Sequence, residues 1–197
     1  VNSLNSLFSL VRAGVILEQS YVQPICTPTR SALMTGRYPI HTGRQSRALM
    51  PEQPDGLSTD FTLMPEYLKR LGYHTHMVGK GTLVSAMNPT FLQGISIFAL
   101  ATDIILHLGL IRRGFDKFDG YWIGSEDYFK HTRRSRTYPK VAGFDFHHNE
   151  DPDFRAIGKY SSGVFADKAT AILRRASTKS SPLFLYLAFQ APHSPLQ

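Results

Sequence analysis

Cys26 and Arg30 stand where an oxyanion could be bound, and Lys80 and His193 each follow a predicted strand. In Cys26-Thr27-Pro28-Thr29-Arg30, Thr27 is an N-capping residue type and Pro28 suits a first helical turn. The spacing predicts a helix from Pro28 to a stop at Gly36, with Cys26 at its amino end. Unpaired backbone N–H groups at such an end attract anions. Arg30, one turn on, can fork two hydrogen bonds toward the same spot. A lone cysteine is ordinarily a small buried hydrophobe, but these neighbours place it beside an anion-attracting helix end. Lys80 closes Gly72-Tyr73-His74-Thr75-His76-Met77-Val78-Gly79-Lys80, just past a predicted strand. Open α/β sheets place ligand-binding loops there. His193 follows the apolar run Leu183 to Phe189, so it too lies beyond the carboxyl end of a strand. Alone, Lys80 reads as a surface lysine and His193 as a turn residue between prolines. The ordered set carries the functional reading.

These residues need a scaffold, and the hydrophobic pattern supplies one. Leu4 to Arg12 reads as a helix with Leu4, Leu7, Phe8 and Val11 on one face, and Val15 to Val22 as a strand. Thr62 to Leu71 reads as a helix with Leu68 and Leu71 facing inward and Gly72 as terminator. Tyr73 to Val78 follows as a strand. Val164 to Arg175 is an amphipathic helix through Phe165, Ala169, Ile172 and Leu173, and it leads into a buried strand at Leu183 to Phe189. Two helix-then-strand units predict a layered α/β fold. Residues 130–160 read as loop-rich.

The 197 residues are 42% hydrophobic and 19% charged, which suits one globular domain or part of a larger one. The net charge of +7 includes basic runs at Arg112-Arg113, Arg133-Arg134-Ser135-Arg136 and Arg174-Arg175. These read as a solvated face or as contacts for an anionic partner. No RNA-binding signature, zinc-finger spacing or basic zipper is present, which argues against nucleic acid. Phe91 to Ile111 is long enough to span a bilayer. Asp103 and His107 inside it are costly in hydrocarbon, so a membrane span is disfavoured against a buried helix. The chain opens at Val1 without a signal segment, so its terminus does not give a location.

The first signature, C-x-P-x-R followed by Thr35-Gly36-Arg37, resembles that of the sulfatase family. Tyr21-Val22-Gln23-Pro24-Ile25 and Ile40-His41-Thr42-Gly43 are similar to the arylsulfatase B (N-acetylgalactosamine-4-sulfatase) group in particular. The family's second signature, G-Y-x-T-x-x-x-G-K-W-H, is matched up to Lys80, after which Gly81-Thr82 replaces Trp-His. The family's W-H-L-G and R-R-G-F-D find counterparts in Leu106-His107-Leu108-Gly109 and Arg112-Arg113-Gly114-Phe115-Asp116. The apolar stretch at about 81–106 therefore reads as an atypical insertion, of the kind a retained intron leaves, with His107 as the displaced active-site histidine. The terminal His193-Ser194-Pro195-Leu196-Gln197 resembles the family's H-x-P-L-Q loop.

The resemblance implies a partial catalytic domain over 1–197: α/β and alkaline-phosphatase-like, an incomplete mixed sheet flanked by helices. It implies that a formylglycine-generating enzyme converts Cys26 to formylglycine (3-oxoalanine). The hydrated aldehyde then attacks sulfur with one hydroxyl and expels sulfate through the other. It implies a Ca²⁺ bound by that residue and by carboxylates outside this chain, for which Glu150-Asp151 has no substituting spacing. Arg30 and Lys80 would hold the sulfate, and His193 would contact it or protonate the departing alcohol. Substrates would be aryl sulfates or sulfated glycans such as glycosaminoglycans, and the setting lysosomal or secreted. The alternative is an inactive fragment or pseudoenzyme lacking the calcium shell, which at most binds sulfated glycans.

Overall fold

The computed structural model describes residues 3–49, 55–81, 84–85, 110–135 and 142–197. Strand β2 (His74–Lys80) lies at the centre of a five-stranded sheet, parallel to β4 (Lys117–Tyr121) on one side and to β9 (Leu183–Ala188) on the other. Beyond β4, the short strands β7 (His147–His148) and β8 (Asp151–Pro152) run antiparallel, so the order is β8-β7-β4-β2-β9. The sheet is mixed, as expected.

Period-two alternation explains its two coats. Met77, Phe118, Phe184 and Tyr186 point into one cluster, with Met34 from α2 (Cys26–Thr35) and Leu63 at the start of α4 (Met64–Arg70). Val78, Tyr121, Leu183 and Leu185 point the other way, onto Phe165 and Ile172 of α5 (Ser161–Ala176). Helices thus cover both faces, the layered arrangement the sequence predicts.

Several expectations need correction. Helix α2 begins at Cys26 rather than Pro28; Ile25 is its N-cap and makes no side-chain cap bond. Thr27 lies inside the helix, buried, and its Oγ1 accepts a hydrogen bond from the Leu49 amide at 3.1 Å. Val15 to Val22 is not a strand. Its apolar side chains are exposed, Val15 by 88% and Tyr21 by 85%, and among the described residues no neighbouring strand completes a ladder with it. Leu71 and Leu173 face solvent rather than the core. The 130–160 segment is more ordered than its composition suggests. It holds a hairpin of β5 (Thr132–Arg134) with β6 (Ala142–Phe144), then β7, β8 and a 3₁₀ turn at Phe154–Ala156. Arg113, read as part of a solvated run, is buried and donates to the carbonyls of Leu57, Ser58 and Phe61.

Of the 81–106 insertion, Gly81 is described, and Val84–Ser85 (β3) pairs with Asp55–Gly56 (β1). The rest of it, His107, and 91–109 lie outside the described residues. Among the described residues no helix is long and apolar enough to cross a membrane.

Gly79 is the tightest point of the sheet. It has φ +101°, and a Cβ built on it would stand 2.0 Å from the Ala188 carbonyl oxygen. Its ladder partner Gly120 faces a similar limit, 2.0 Å from the Gly79 carbonyl. Only glycines let these backbones approach just before Lys80. Gly79→Ala is expected to destabilise the protein by about 3 kcal/mol or more, from overpacking plus positive-φ strain. Gly72→Ala, at φ +84° with open space around it, carries the strain alone, about 1 kcal/mol. Urea melts of the two variants check this; equal losses would show that the close approach is not limiting.

Candidate active site

The anion-seeking residues converge at the carboxyl end of β2. Cys26 is half-buried at the first turn of α2. Gly36 ends that helix in the left-handed conformation, its N–H returning to the Ala32 carbonyl at 2.8 Å. Arg30, one turn in from Cys26, extends its Nη1 to the Lys80 carbonyl at 3.0 Å and to the Tyr186 hydroxyl at 2.9 Å. Its guanidinium lies 5.8 Å from the centre of the Tyr186 ring. The plane of the fork is thereby fixed through one nitrogen. Among the described residues no hydrogen bond engages Nε or Nη2.

Lys80 is the last residue of β2 and only 3% exposed. Burial pushes its ammonium down to about 8. Cys26 opposes that fall by charge and by a side-chain hydrogen bond, while Arg30 and Arg133 add to it by like-charge repulsion. Cys26 and Arg30 therefore both act electrostatically on Lys80. Arg133 of β5, in a run that reads as a solvated face or as contacts for an anionic partner, lies close enough to Lys80 to repel it. It donates to the Ser125 hydroxyl in the turn after β4. Tyr186 was hidden in an apolar run; its alternate position along β9 was the available signal.

His193 lies apart from these residues. It is exposed on the loop after β9, its Nδ1 2.8 Å from the Ser194 carbonyl.

Behind the pocket lies a buried acidic group that the sequence did not disclose. Asp145 accepts hydrogen bonds from the amides of Trp122 and Ile123, both at 3.0 Å. Burial raises its carboxyl to about 7, against those amides and the charge of Arg133. Glu126, 1% exposed, is raised well above the usual carboxylate range, first by burial and then by Asp145 and Asp127. Burial holds His147 down to about 4, so it is neutral, stacked on Trp122 with ring centres 4.2 Å apart.

The calcium ion implied by the resemblance does not fit this donor set. Ca²⁺ takes about six to eight oxygen ligands, mostly carboxylate and carbonyl. The side chains gathered around Cys26 are cationic. Asp116, Asp119 and Asp127 are each engaged elsewhere, by Lys69 and Thr75, by His148 and Lys168, and by Gln197 with backbone amides. Among the described residues no group of three or more His, Cys, Asp or Glu could hold a metal ion.

An open mixed sheet with helices on both faces, and with Lys80 ending its central strand beside Arg30 and Arg133, defines a layered α/β protein. The comparisons narrow the class. The sequence matches the Sulfatase family over residues 3–197, and the chain belongs to that family. It is 39% identical to mouse arylsulfatase J over 200 residues, covering 98% of this chain and 29% of that protein. It is 26% identical to mouse N-acetylgalactosamine-6-sulfatase, covering 97% of this chain and 35% of that protein. Among solved structures it is similar to Ps i-CgsB in complex with k-i-k-neocarrahexaose, with a TM-score of 0.67, 27% identity, and coverage of 89% of this chain and 36% of that one. The chain thus spans about a third of the length of these relatives. The shared fold is the alkaline-phosphatase-like fold of sulfatases.

Two outcomes follow from the site. An unfolded lysine holds its proton to about 10.5 and buried Lys80 only to about 8. The unfolded chain therefore binds more protons between those values. The burial penalty is full below pH 8 and shrinks as pH rises through that window. A ¹³C-dimethyl lysine NMR titration is expected to place Lys80 near 8, and Cys26→Ala to lower it further because an opposing contact is lost. A midpoint unmoved by Cys26→Ala would show that Cys26 does not act on Lys80. Separately, calorimetric titration of residues 1–197 with Ca²⁺ is expected to show no stoichiometric uptake; one-to-one binding would reveal an oxygen shell not apparent in this donor set.

Proposed function

We propose that this chain supplies the sulfate-binding part of the active site of a sulfatase that hydrolyses sulfate monoesters on glycosaminoglycans. The convergence of Arg30 and buried Lys80 on Cys26 at the start of α2 carries the reading. In this reading Cys26 is the residue that a formylglycine-generating enzyme converts. Its partial exposure at the front of a helix leaves it accessible to that enzyme. Formylglycine supplies a hydrated aldehyde, whose two hydroxyls serve as nucleophile and as the means of release.

The chain's own residues do the rest. The free donors of Arg30 and the Lys80 ammonium hold the sulfate oxygens, where preorganised charge is worth most in a partly dry pocket. His193 gives a proton to the departing alcohol. His107 takes the part of the displaced active-site histidine. N-acetylgalactosamine sulfate is the proposed sugar ester, from the arylsulfatase B-like motifs around Cys26 and the similarity to a protein named N-acetylgalactosamine-6-sulfatase. The proposed setting is lysosomal or secreted. A second reading, binding of sulfated glycans without turnover, is favoured by the cationic donor set around Cys26, which offers no cluster of metal-binding side chains among the described residues.

The test is expression of the full-length protein with the modifying enzyme, assayed on a chromogenic aryl sulfate. Turnover is expected. Arg30→Ala is expected to lower kcat by about 10² to 10³-fold, the effect of removing one preorganised oxyanion donor. Complete conversion of Cys26 with no turnover would refute hydrolysis and leave the binding reading.

A further inference from the structure

The loop that bears His193 is held by a second structure, the turn that follows β4. Gln190 is 1% exposed. Its Nε2 donates to the Glu126 carbonyl at 2.6 Å, and its Oε1 accepts from the Ser161 hydroxyl at 2.6 Å. Tyr128 is 2% exposed; its hydroxyl donates to the His193 carbonyl itself at 2.8 Å. Gln197 closes the far end of the loop, accepting from the Tyr128 amide and donating to Asp127, both at 2.7 Å.

This turn is stiff for local reasons. Asp127 Oδ1 accepts from the amides of Phe129 and Lys130, at 3.0 and 2.7 Å. At its far end His131, fully buried at φ +53°, sits 3.2 Å from Glu126 through Nδ1. Its Nε2 is shared between the carbonyls of Ala156 and Lys159. The near end is tied to the anion pocket, since Ser125 accepts from Arg133, whose charge Lys80 feels. One rigid turn therefore touches both the pocket and the backbone of His193, two parts that make no direct contact among the described residues.

We propose that the 125–128 turn is a brace that sets His193 at a fixed place relative to the Cys26–Arg30–Lys80 pocket, with Tyr128, Gln190 and Gln197 as positioning residues. The proposal rests on the proton-donor role assigned to His193 above. An Nδ1–H directed at the Ser194 carbonyl leaves Nε2 to carry the proton. As a hydroxyl of the converted residue 26 bonds to sulfur and the S–O bond to the alcohol breaks, the leaving oxygen keeps the electron pair and takes the Nε2 proton of the His193 imidazolium. The neutral imidazole is reprotonated from water. Proton transfer of this kind needs hydrogen-bond reach, so a loosened loop fails at the chemical step while binding is retained.

The test uses the full-length protein with Cys26 converted and two esters, a sugar sulfate whose alkoxide needs a proton and a nitroaryl sulfate whose phenolate does not. Tyr128→Phe keeps the ring stacked on Tyr160, 5.4 Å away, and removes only the hydroxyl. Gln197→Ala alters an exposed residue. Each is expected to lower kcat on the sugar sulfate about tenfold, with KM and nitroaryl turnover within about twofold. His193→Ala is expected to lower sugar-sulfate kcat about a hundredfold, with no further loss when Tyr128→Phe is added. Hydrogen exchange gives a reading independent of turnover: the His193 amide, bonded to the Gln190 carbonyl at 2.9 Å, is expected to exchange faster in both variants. Unchanged exchange in both, equal losses on the two esters, or losses that multiply with His193→Ala would overturn the brace. Undiminished sugar-sulfate turnover in His193→Ala would instead overturn the proton-donor role, and the brace with it.

Discussion

The Lys80 ammonium, almost wholly withdrawn from water at the carboxyl end of the central strand, is the constraint around which the site is arranged. Burying a cation is costly unless an opposite charge or hydrogen bonds meet it. Here its neighbours are mostly wrong for that purpose, because Arg30 and Arg133 repel it and only Cys26 opposes its loss of charge. With two guanidinium groups repelling the buried ammonium, added negative charge beside Lys80 is favoured. A dianionic or monoanionic oxyanion supplies it, and in doing so restores the lysine's affinity for its proton. The depressed ammonium and the anion preference are thus two expressions of the same packing.

The scaffold that enforces this arrangement is backbone as much as side chain. Gly79 and Gly120 bring β9, β2 and β4 closer than any Cβ would allow, immediately before Lys80 emerges. Arg30 then grips the Lys80 carbonyl, tying the first turn of α2 to the end of β2. Tyr186, one strand over, accepts no role in the core beyond its ring and gives its hydroxyl to the same guanidinium. Helix, central strand and outer strand are therefore locked at one point. Thr27 adds a fourth tie, since its buried hydroxyl accepts from the Leu49 amide across the front of the helix. A side chain that the sequence offered as a cap serves tertiary structure instead.

What could be read in the sequence was what local pattern encodes. Helix α5 carries a hydrophobic period, β9 an uninterrupted apolar run, and β2 follows a glycine-terminated helix, while Cys26, Arg30 and Lys80 sit in short motifs. What escaped depends on partners distant in the chain. Strand β4 contains Lys117, Asp119 and Gly120, a pattern that hides its alternation; Asp119 is tolerated because Lys168 and His148 each reach it at 2.7 Å. Strands of two or three residues in the 142–152 region have no period to detect. Val15 to Val22 failed in the opposite direction. Its composition is strand-like, but a strand exists only against a neighbour, and none pairs with it among the described residues. Arg133 and Arg113 show that a basic run reveals nothing about burial: one joins the pocket and the other holds carbonyls in the core.

The buried acids complete the electrostatic argument. A carboxylate placed beside Lys80 would neutralise the pocket and abolish its use for an anion. Asp145 acts on Glu126 and both act on Tyr121, yet their burial favours the uncharged form, Glu126 strongly and Asp145 to about 7. Glu126 thereby serves as a neutral hydrogen-bonding group toward His131 rather than as a counter-ion. Asp145, where ionised, is met by the amides of Trp122 and Ile123 and by Arg133. Arg133 so stands between an acid that can accept part of its charge and a lysine that it repels. Burial that favours the protonated form of both acids limits the negative charge beside Arg133 and Lys80.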